Sequence, residues 1–512
     1  MKRLIVCCDG TWNNPEQEEN GIPSPTNVFK IHNAIAATDG ATEQLSYYHP
    51  GVGGEETGIV DEILGGLLGA GMNRHICSAY QWLASEYAPG DQIFLYGFSR
   101  GAFTVRSLCA FLGHGLLDLR GLTTAEGWNR VHTAYEKGYR IKDSKKSDWA
   151  RDWKFHHEGD AVPVHFMGVW DTVGALGVPD DFEVLNLLDR PSRWRFHDME
   201  IGAHVVSGRH AMAMDDLRSS FTVARWSNRH EHPGAKEFWF PGSHSDVGGG
   251  YSECSLSNSA LRWMIEESKA SGLAFRPVAD TLECDPLGPM HNSYKGVFAK
   301  LRARPRNIPA LVESNRYRIH DSAYVRQKVS PLAYPTYHPT RLLAPGESVT
   351  ADIYADTHWN ATGIYLEAGV SYRFEALGEW KAASETCDWT GIKDTKWSFA
   401  RVVRSASAVL GMFENGIKRL AHNVSADYNS TKRIAGVPWM GMVGAIANDG
   451  VATDEPVSGD GSPCPHQHVN LADFVGTPLV VVKSGYLYAF ANDVWAHYND
   501  NHGSIRLSVT RV

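Results

Sequence analysis

One segment shows the architecture of this chain most clearly: Asp91-Gln-Ile-Phe-Leu-Tyr-Gly97-Phe-Ser99-Arg-Gly101-Ala-Phe-Thr-Val-Arg106. An apolar run precedes Gly97, and apolar residues recur at helical spacing after Gly101, which predicts a buried strand, a tight turn and a helix. Such a turn strains the serine backbone, and the two flanking glycines keep side chains out of the corner. The helix N-terminus favours developing negative charge beside the hydroxyl. The segment therefore predicts Ser99 to be a nucleophile.

This interpretation depends on context more than on the motif. With 49 glycines in 512 residues, a Gly-x-Ser-x-Gly is expected roughly 0.3 times by chance. The alternative is an ordinary strand–turn–helix corner. A Pro-Gly-Asp turn before the strand and the helical spacing after the serine favour the nucleophile.

Composition narrows the class of protein. A length of 512 residues with 43% hydrophobic and 21% charged residues predicts a globular protein of two or three domains. A net charge of −9 argues against a nucleic-acid partner. No apolar run is long enough to span a membrane. The apolar N-terminal run ends at a polar turn, which favours a strand over a secretory signal and predicts a cytoplasmic protein or one exported without a cleaved signal. The eight cysteines form no Cys-x-x-Cys pair, which argues against zinc.

The first part of the chain alternates strand-like and helix-like segments, a pattern typical of an α/β fold with a doubly wound, mostly parallel sheet. The predicted strands are Leu4–Cys8, Gln44–Tyr48, Ile93–Tyr96, Val162–Trp170 and Glu237–Phe240, and the predicted helices are Thr26–Ala36 and Ile63–Tyr87. From about Pro345, short strand-like runs separated by Gly, Asn and Asp predict an all-β sandwich. We therefore expect a catalytic domain over 1–340, with caps or connectors at 175–235 and 270–340, and a β domain over 341–512.

A nucleophilic serine needs a base and an orienting carboxylate, which follow strands in the order Ser, Asp, His in doubly wound hydrolases. Asp171 directly follows the apolar run 164–170, and His244 follows the run 238–240 at a Gly-rich loop. A helix-capping role is the alternative for Asp171. Rival acids that do not directly follow a clear strand are Asp181, Asp215 and Asp216.

The oxyanion hole should use the backbone N–H of Arg100, the residue after the nucleophile. A second donor is expected from Gly10 or Thr11, because glycine permits close approach to a reacting oxygen.

Asp9-Gly10-Thr11 is also similar to a motif of phosphatases that use an aspartate nucleophile. In that alignment the nucleophile position is Cys7, so the required aspartate is absent.

Four motifs together resemble a known family: Cys-Asp-Gly-Thr-Trp-Asn (8–13), Gly-Phe-Ser-Arg-Gly-Ala (97–102), Gly-Val-Trp-Asp-Thr-Val-Gly (168–174) and Phe-Pro-Gly-Ser-His-Ser-Asp-Val-Gly-Gly-Gly-Tyr (240–251). The chain resembles the α/β-hydrolase family that includes the first class of type VI secretion lipase effectors. The resemblance covers roughly residues 1–340. It implies a Ser99–Asp171–His244 triad and activity on lipid or other carboxylic esters.

The C-terminal part has a resemblance of its own. Residues 491–504 resemble the calcium loop of the small galactophilic bacterial lectin, a jelly-roll sandwich. Oxygen atoms on a flexible turn suit a hard cation, and Asp493, Asp500, Asn501 and a backbone carbonyl near His497 would supply them. The family has Asn at 500 and Thr at 497, so the ligand at 497 has to be the backbone. A polar hairpin loop is the alternative.

These observations predict a serine carboxyl-ester hydrolase, a lipase or phospholipase, that needs no cofactor for catalysis. Calcium and carbohydrate are candidate partners of the C-terminal domain. Two alternatives stay open: a carbohydrate-binding protein on an inactive hydrolase scaffold, and an esterase for small-molecule or polymer esters. The Gly-rich segment 58–72 is either an element for peripheral membrane contact or a tightly packed buried helix.

Overall fold

The computed structural model describes residues 1–10, 13, 16–51, 67–141, 144–150, 152–157, 161–173, 200–295, 299, 302–329, 336–382, 385–392, 432–448 and 466–512. The strands are β1 (Lys2–Cys8), β2 (Glu18–Glu19), β3 (Ile22–Pro23), β4 (Thr38–Asp39), β5 (Thr42–His49), β6 (Gln92–Phe98), β7 (Val164–Trp170), β8 (Val205–Ala213), β9 (Ala235–Phe240), β10 (Ser348–Tyr354), β11 (Asn360–Leu366), β12 (Ser371–Ala382), β13 (Glu385–Cys387), β14 (Met442–Asn448), β15 (Gln467–Asn470), β16 (Leu479–Val480), β17 (Gly485–Ala491) and β18 (Asn501–Arg511). The α-helices are α1 (Asn27–Ala34), α2 (Leu67–Glu86), α3 (Arg100–Leu112), α4 (Thr124–Thr133), α5 (Lys146–Trp149), α6 (His244–Gly248), α7 (Ser255–Ala270) and α8 (Asp321–Val329).

The first sheet has the strand order β4-β5-β1-β6-β7-β8-β9. Its neighbours pair in parallel, except that β4 lies antiparallel to β5 at the edge. From β1 the chain moves to β5 on one side, and it later returns to β6 on the other side of β1. Sheets of this type bind ligands outside the carboxyl ends of the strands at such a reversal. The loops after β1 and β6 flank that position.

Alternate residues of the central strands enter two separate hydrophobic clusters, because successive side chains point to opposite faces of a sheet. Leu4 and Leu95 pack with helices α2 and α3 on one face. Ile5 and Phe94 pack with α1 and α7 on the other. Both faces of the sheet are therefore covered by helices, as the near-continuous apolar strands predict.

The C-terminal part consists of two antiparallel sheets. One has the order β10-β18-β12-β13, with β16 also paired to β12, and the other has the order β11-β17-β14-β15. Side chains between the two sheets form one hydrophobic cluster. The outer face of the second sheet shares another cluster with Met212 and Trp239 of the parallel sheet and with residues 308–324. The prediction of an α/β part followed by an antiparallel β part is confirmed, while the boundary near residue 340 stays a prediction.

One strand differs from the sequence-based expectation. The segment 175–235 was expected to be a cap or a connector, but Val205–Ala213 within it forms β8, in the sheet between β7 and β9. Arg209 and His210 interrupt its apolar pattern, and both are buried because they pair with Glu267 and Glu237. These buried polar residues conceal the strand when hydrophobicity alone is considered. Residues 174–199, which include the rival acid Asp181, lie outside the described residues.

The segment 58–72 also falls mostly outside the described residues, so its interfacial or buried role stays open. In the ranges that the structure describes, no helix combines the length and the hydropathy needed to cross a membrane.

Candidate active site

Ser99 occupies the corner between β6 and α3 in a left-handed backbone conformation, with φ 57° and ψ −124°. Such a conformation is strained for a non-glycine residue and persists only where the surroundings impose it. A Cβ atom on Gly97 would lie 2.5 Å from the Gly101 carbonyl oxygen, and one on Gly101 would lie 2.2 Å from the Cys8 carbonyl oxygen. Close backbone packing therefore requires both glycines of the motif. Arg100 is the first residue of α3, so its amide lies at the positive end of the helix dipole.

The loop after β1 lies against this corner. A Cβ atom on Gly10 would be 3.1 Å from the Cβ of Ser99, so glycine permits the approach. The Gly10 N–H donates to Asp9 Oδ1 at 2.7 Å. Burial raises the pKa of the Asp9 carboxyl to about 6, against the opposing effect of its hydrogen-bond donors. The part of Gly10 in an oxyanion hole stays a prediction, and Thr11 lies outside the described residues.

Asp171 and His244 meet at the carboxyl ends of β7 and β9. His244 Nδ1 lies 2.5 Å from Asp171 Oδ2, and the carboxylate is completely buried. Phe98, the residue before Ser99, lies against the His244 ring with 4.5 Å between ring centroids. The structure thus brings Asp171 and His244 into contact at two strand ends, and it places the residue before Ser99 against the same imidazole.

The electrostatics of this pair suit a base held by a carboxylate. Burial lowers the pKa of His244 below its usual value, and Asp171 opposes that shift only in part. The ring is therefore neutral near pH 7 and can accept a proton. Burial raises the pKa of the Asp171 carboxyl, but Arg306 and His244 together outweigh it, so the pKa lies well below its usual value. Asp171 therefore stays ionised beside the ring.

The rival acids have other partners. Asp216 Oδ2 accepts from the backbone N–H of His244 at 3.1 Å and pairs with Arg218. Asp215 accepts from the Gly242 N–H and pairs with His338. Both carboxylates thus brace the loop that carries His244, whereas its imidazole is contacted by Asp171. Asp246, two residues after His244, accepts from the Ser243 hydroxyl and from His291, which also stabilises this loop.

Two groups beside Asp171 were not predicted. Arg306 donates to both of its carboxylate oxygens, at 2.5 and 2.9 Å. His210 accepts from the Thr172 N–H at 3.2 Å, and its other ring nitrogen faces Glu237 at 3.4 Å. Arg306 follows no motif and is one of 49 lysines and arginines. His210 had a weak signal, because it lies in an apolar segment that turns out to be a strand.

The four candidate calcium ligands lie around the start of β18. Asp493 and Asn501 are completely buried, and Asn501 Nδ2 donates to Asp493 Oδ2 at 3.0 Å. His497 and Asp500 belong to a short 3-10 helix between them, Trp495–Asp500. Asn501 Oδ1 is a buried oxygen with no hydrogen-bond partner. Among the described residues, no cluster of three or more His, Cys, Asp or Glu side chains is suited to hold a metal, so a site here would also need amide and backbone oxygens.

Comparison with known proteins places the first half of the chain in a family. The family model for the type VI secretion system phospholipase effector Tle1-like catalytic domain matches residues 2–267, which include Ser99, Asp171 and His244. An uncharacterized protein of Saccharomyces cerevisiae is 31% identical over 245 residues, which are 43% of this chain and 32% of that protein. The chain thus spans about a third of the length of this relative.

Solved structures with similarity to the chain include an uncharacterized protein from Pseudomonas aeruginosa, with 16% identity, a TM-score of 0.34 and 69% coverage of each chain. The Tle1 effector bound to the VgrG spike of the type VI secretion system has 20% identity, a TM-score of 0.28 and coverage of 49% of this chain and 51% of that one. The EclA N-terminal domain, a PllA-like lectin, has 15% identity, a TM-score of 0.16 and coverage of 32% of this chain and 95% of that one. These TM-scores are too low to carry an argument about the fold.

The family match covers just over half of the chain and confirms the resemblance that the four motifs indicate. The chain belongs to the family of type VI secretion system phospholipase effector Tle1-like catalytic domains.

Proposed function

We propose that this protein is a serine hydrolase of phospholipid carboxyl esters. The observation that carries the proposal is the buried contact between Asp171 and His244, 2.5 Å long, beside the strained corner of Ser99. Family membership supports a lipid ester as the substrate, and it is also the basis for proposing that the protein acts as an exported type VI effector on a membrane.

The proposed reaction is acyl transfer in two steps. Ser99 Oγ attacks the ester carbonyl carbon while His244 takes the hydroxyl proton. The tetrahedral oxyanion is held by the amide of Arg100 and a second donor near Gly10. The bond to the alcohol then breaks, and His244 returns the proton to the leaving oxygen. Water, deprotonated by His244, then attacks the acyl carbonyl carbon; the bond to Ser99 Oγ breaks, His244 returns the proton to that oxygen, and the fatty acid leaves. Asp171 stays charged and stabilises each imidazolium.

The test compares wild type, Ser99→Ala and Ser85→Ala on phospholipid vesicles and on short and long p-nitrophenyl esters. Ser85 is an exposed serine of α2, so its substitution is a matched control. Ser99→Ala should lower kcat roughly 10⁴-fold or more, because triad members act as a unit. Hydrolysis of small esters but not of vesicles would favour the small-ester alternative. A folded wild type without any hydrolysis would contradict the proposal and favour a binding protein.

A second function is proposed for the sandwich: calcium binding by Asp493, Asp500, Asn501 and a carbonyl near His497, with carbohydrate as the partner. The unpartnered Asn501 Oδ1 beside the Asp493 carboxylate favours it, because calcium takes ligands of this oxygen type.

Thermal unfolding with added calcium or with chelator tests this second function. A cation at 100 times its Kd would stabilise the folded state by about 2.7 kcal/mol, so the wild-type Tm should rise with calcium. Asp493→Asn should abolish the rise in Tm. Asp473→Asn removes an exposed carboxylate from the short 3-10 helix after β15, so this variant should keep the rise. Equal melting in calcium and in chelator would contradict the site. Glycan binding is then compared with and without calcium.

A further inference from the structure

Arg306 lies outside the segment 2–267 that defines the family match, yet it contacts both carboxylate oxygens of the proposed catalytic acid. Its side chain is 4% exposed. Nη1 and Nη2 donate to Asp171 Oδ1 and Oδ2 at 2.5 and 2.9 Å, and also to the carbonyls of Ala213 and Phe221 at 2.7 and 2.6 Å. A planar guanidinium that grips both oxygens fixes the plane of a carboxylate, which a lysine cannot do.

The orientation of this carboxylate matters for the base. Asp171 has a backbone φ of 36°, so local backbone preference does not hold it. Its Oδ1 accepts from the Ala213 N–H at 2.9 Å, which leaves Oδ2 aimed at His244 Nδ1. Arg306 closes the remaining side of the carboxylate. Removing the guanidinium would leave the completely buried Asp171 carboxylate with fewer hydrogen bonds. Such a carboxylate becomes protonated or rotates.

Two side chains of the C-terminal sandwich contact backbone carbonyls in the segment that carries Arg306. The Trp359 indole N–H donates to the Ala303 carbonyl at 2.8 Å, and His466 Nε2 contacts the Pro305 carbonyl at 3.0 Å. The Trp359 and His466 rings meet edge to face, with 5.4 Å between centroids. Each side chain thus holds a carbonyl one or three residues before Arg306.

The opposite side of the same segment is bound to the catalytic part. The Arg304 N–H donates to the Leu217 carbonyl at 2.7 Å, and Ala303 forms a bridge with Arg218. Beyond Arg306, Ile308 and Leu311 share a hydrophobic cluster with sandwich aromatics. The segment 302–311 is therefore packed between the sandwich and the loop that follows β8, and from there Arg306 reaches Asp171.

We infer that Arg306 is a positioning residue for Asp171 and that the sandwich holds it there, so that hydrolysis at Ser99 depends on contacts made by Trp359 and His466. The inference rests on the proposed function for its kinetic readout. It assigns the second domain a part in catalysis that is independent of any calcium or sugar.

The first test is a double-mutant cycle between Arg306 and Asp171. Arg306→Met should lower kcat by roughly 10²- to 10³-fold and leave KM within about twofold, since the ester does not contact this side chain. Arg306→Lys should recover only part of the loss. In the Asp171→Asn background, Arg306→Met should cost little more, because its effect passes through Asp171. Additive losses, or an unchanged kcat, would overturn the inference.

The second test addresses the sandwich contacts and also covers the case in which Arg306→Met fails to fold. Trp359→Phe keeps an aromatic ring but removes the donor to Ala303, and we expect kcat to fall about tenfold. Trp389→Phe is the matched control, because that indole packs in the cluster between the two sheets. His466→Leu should lower kcat, whereas His466→Gln, which keeps a donor, should retain more activity. Equal kcat in Trp359→Phe and Trp389→Phe would overturn the dependence on the sandwich.

A third readout needs no substrate. The proton between His244 Nδ1 and Asp171 should give a low-field NMR signal that is absent in His244→Gln. We expect Arg306→Met to weaken or remove it and Trp389→Phe to retain it. If wild type hydrolyses no ester but the signal behaves in this way, the proposed function fails while the positioning role stands. A signal unchanged in Arg306→Met would overturn the positioning role.

Discussion

The parallel sheet and the C-terminal sandwich assemble their polar groups in different ways. Ser99, Asp171 and His244 follow three strands far apart in the chain, and they lie at the same edge of the sheet because parallel strands end there. The polar pair of the sandwich, Asp493 and Asn501, is only eight residues apart in the chain, at the connection between β17 and β18. The candidate site of the sheet thus depends on long-range packing, whereas the polar pair of the sandwich depends on local conformation.

One ion pair from each region shows a second difference, which is burial. In the parallel sheet, the buried Glu237 carboxylate pairs with Arg225 and Arg229, which are partly buried. The sandwich carries ion pairs such as Asp352 with Arg506 on its surface. A buried charge must be paired or it is costly, whereas an exposed pair contributes little. Substitutions in the sheet should therefore have the larger effects, and each of the following measurements probes that contrast.

Among the measurements that probe this contrast, the largest effect is expected from Asp171→Asn. The substitution preserves shape but removes the charge that fixes the His244 tautomer, so kcat should fall by about 10⁴. The measurement is p-nitrophenyl ester hydrolysis at substrate saturation, with circular dichroism as a check on folding. Asp215→Asn serves as the comparison, because Asp215 braces the same loop without contacting the imidazole. Loss of activity in Asp215→Asn but not in Asp171→Asn would identify Asp215, and not Asp171, as the carboxylate that orients His244.

The next effect concerns stability. Glu237→Gln should lower the free energy of unfolding by about 3–5 kcal/mol, because it removes a buried carboxylate from the partly buried Arg225 and Arg229. Urea unfolding followed by tryptophan fluorescence measures the change. Asp352→Asn in the sandwich should cost about 1 kcal/mol or less, since its pair with Arg506 is exposed. Similar losses in the two variants would refute the contrast between buried and exposed charge.

The smallest effect is a pH dependence caused by Asp9. Burial raises its pKa to about 6, above the usual value near 4. Between these values the folded state binds more protons than the unfolded state, so stability falls as pH rises from about 4 to about 6. The loss should reach at most about 3 kcal/mol. Unfolding of wild type and Asp9→Asn across this range measures it, since the variant lacks the titration.

Tyr48→Phe sharpens that measurement. The Tyr48 hydroxyl donates to Asp9 Oδ2 at 2.8 Å and stabilises the charged form. Its removal should raise the pKa of Asp9 further and move the upper end of the window to higher pH. If wild type and Asp9→Asn show the same pH dependence, Asp9 is not the group responsible.

Much of the fold followed from local patterns. Apolar runs before Gly97, Asp171 and the His244 loop indicated three strands, and each run is a strand in the structure. Strand β8 was missed because Arg209 and His210 break its pattern, and only tertiary pairing with Glu267 and Glu237 makes their burial favourable.

In the candidate site, too, the sequence indicated some residues and gave no sign of others. Ser99 was recognisable from sequence because the steric demands of its corner act on residues two positions away, and they select glycine there. Chain order and strand ends nominated Asp171 and His244. No sequence motif marked Arg306, because its role arises from contacts that bring together the parallel sheet and the C-terminal sandwich. Short-range sterics and periodicity constrain the residue types of near neighbours in the sequence, so they can be read from it. A contact between residues far apart in the chain forms only when the folded backbone brings them together, so the tertiary structure alone decides it.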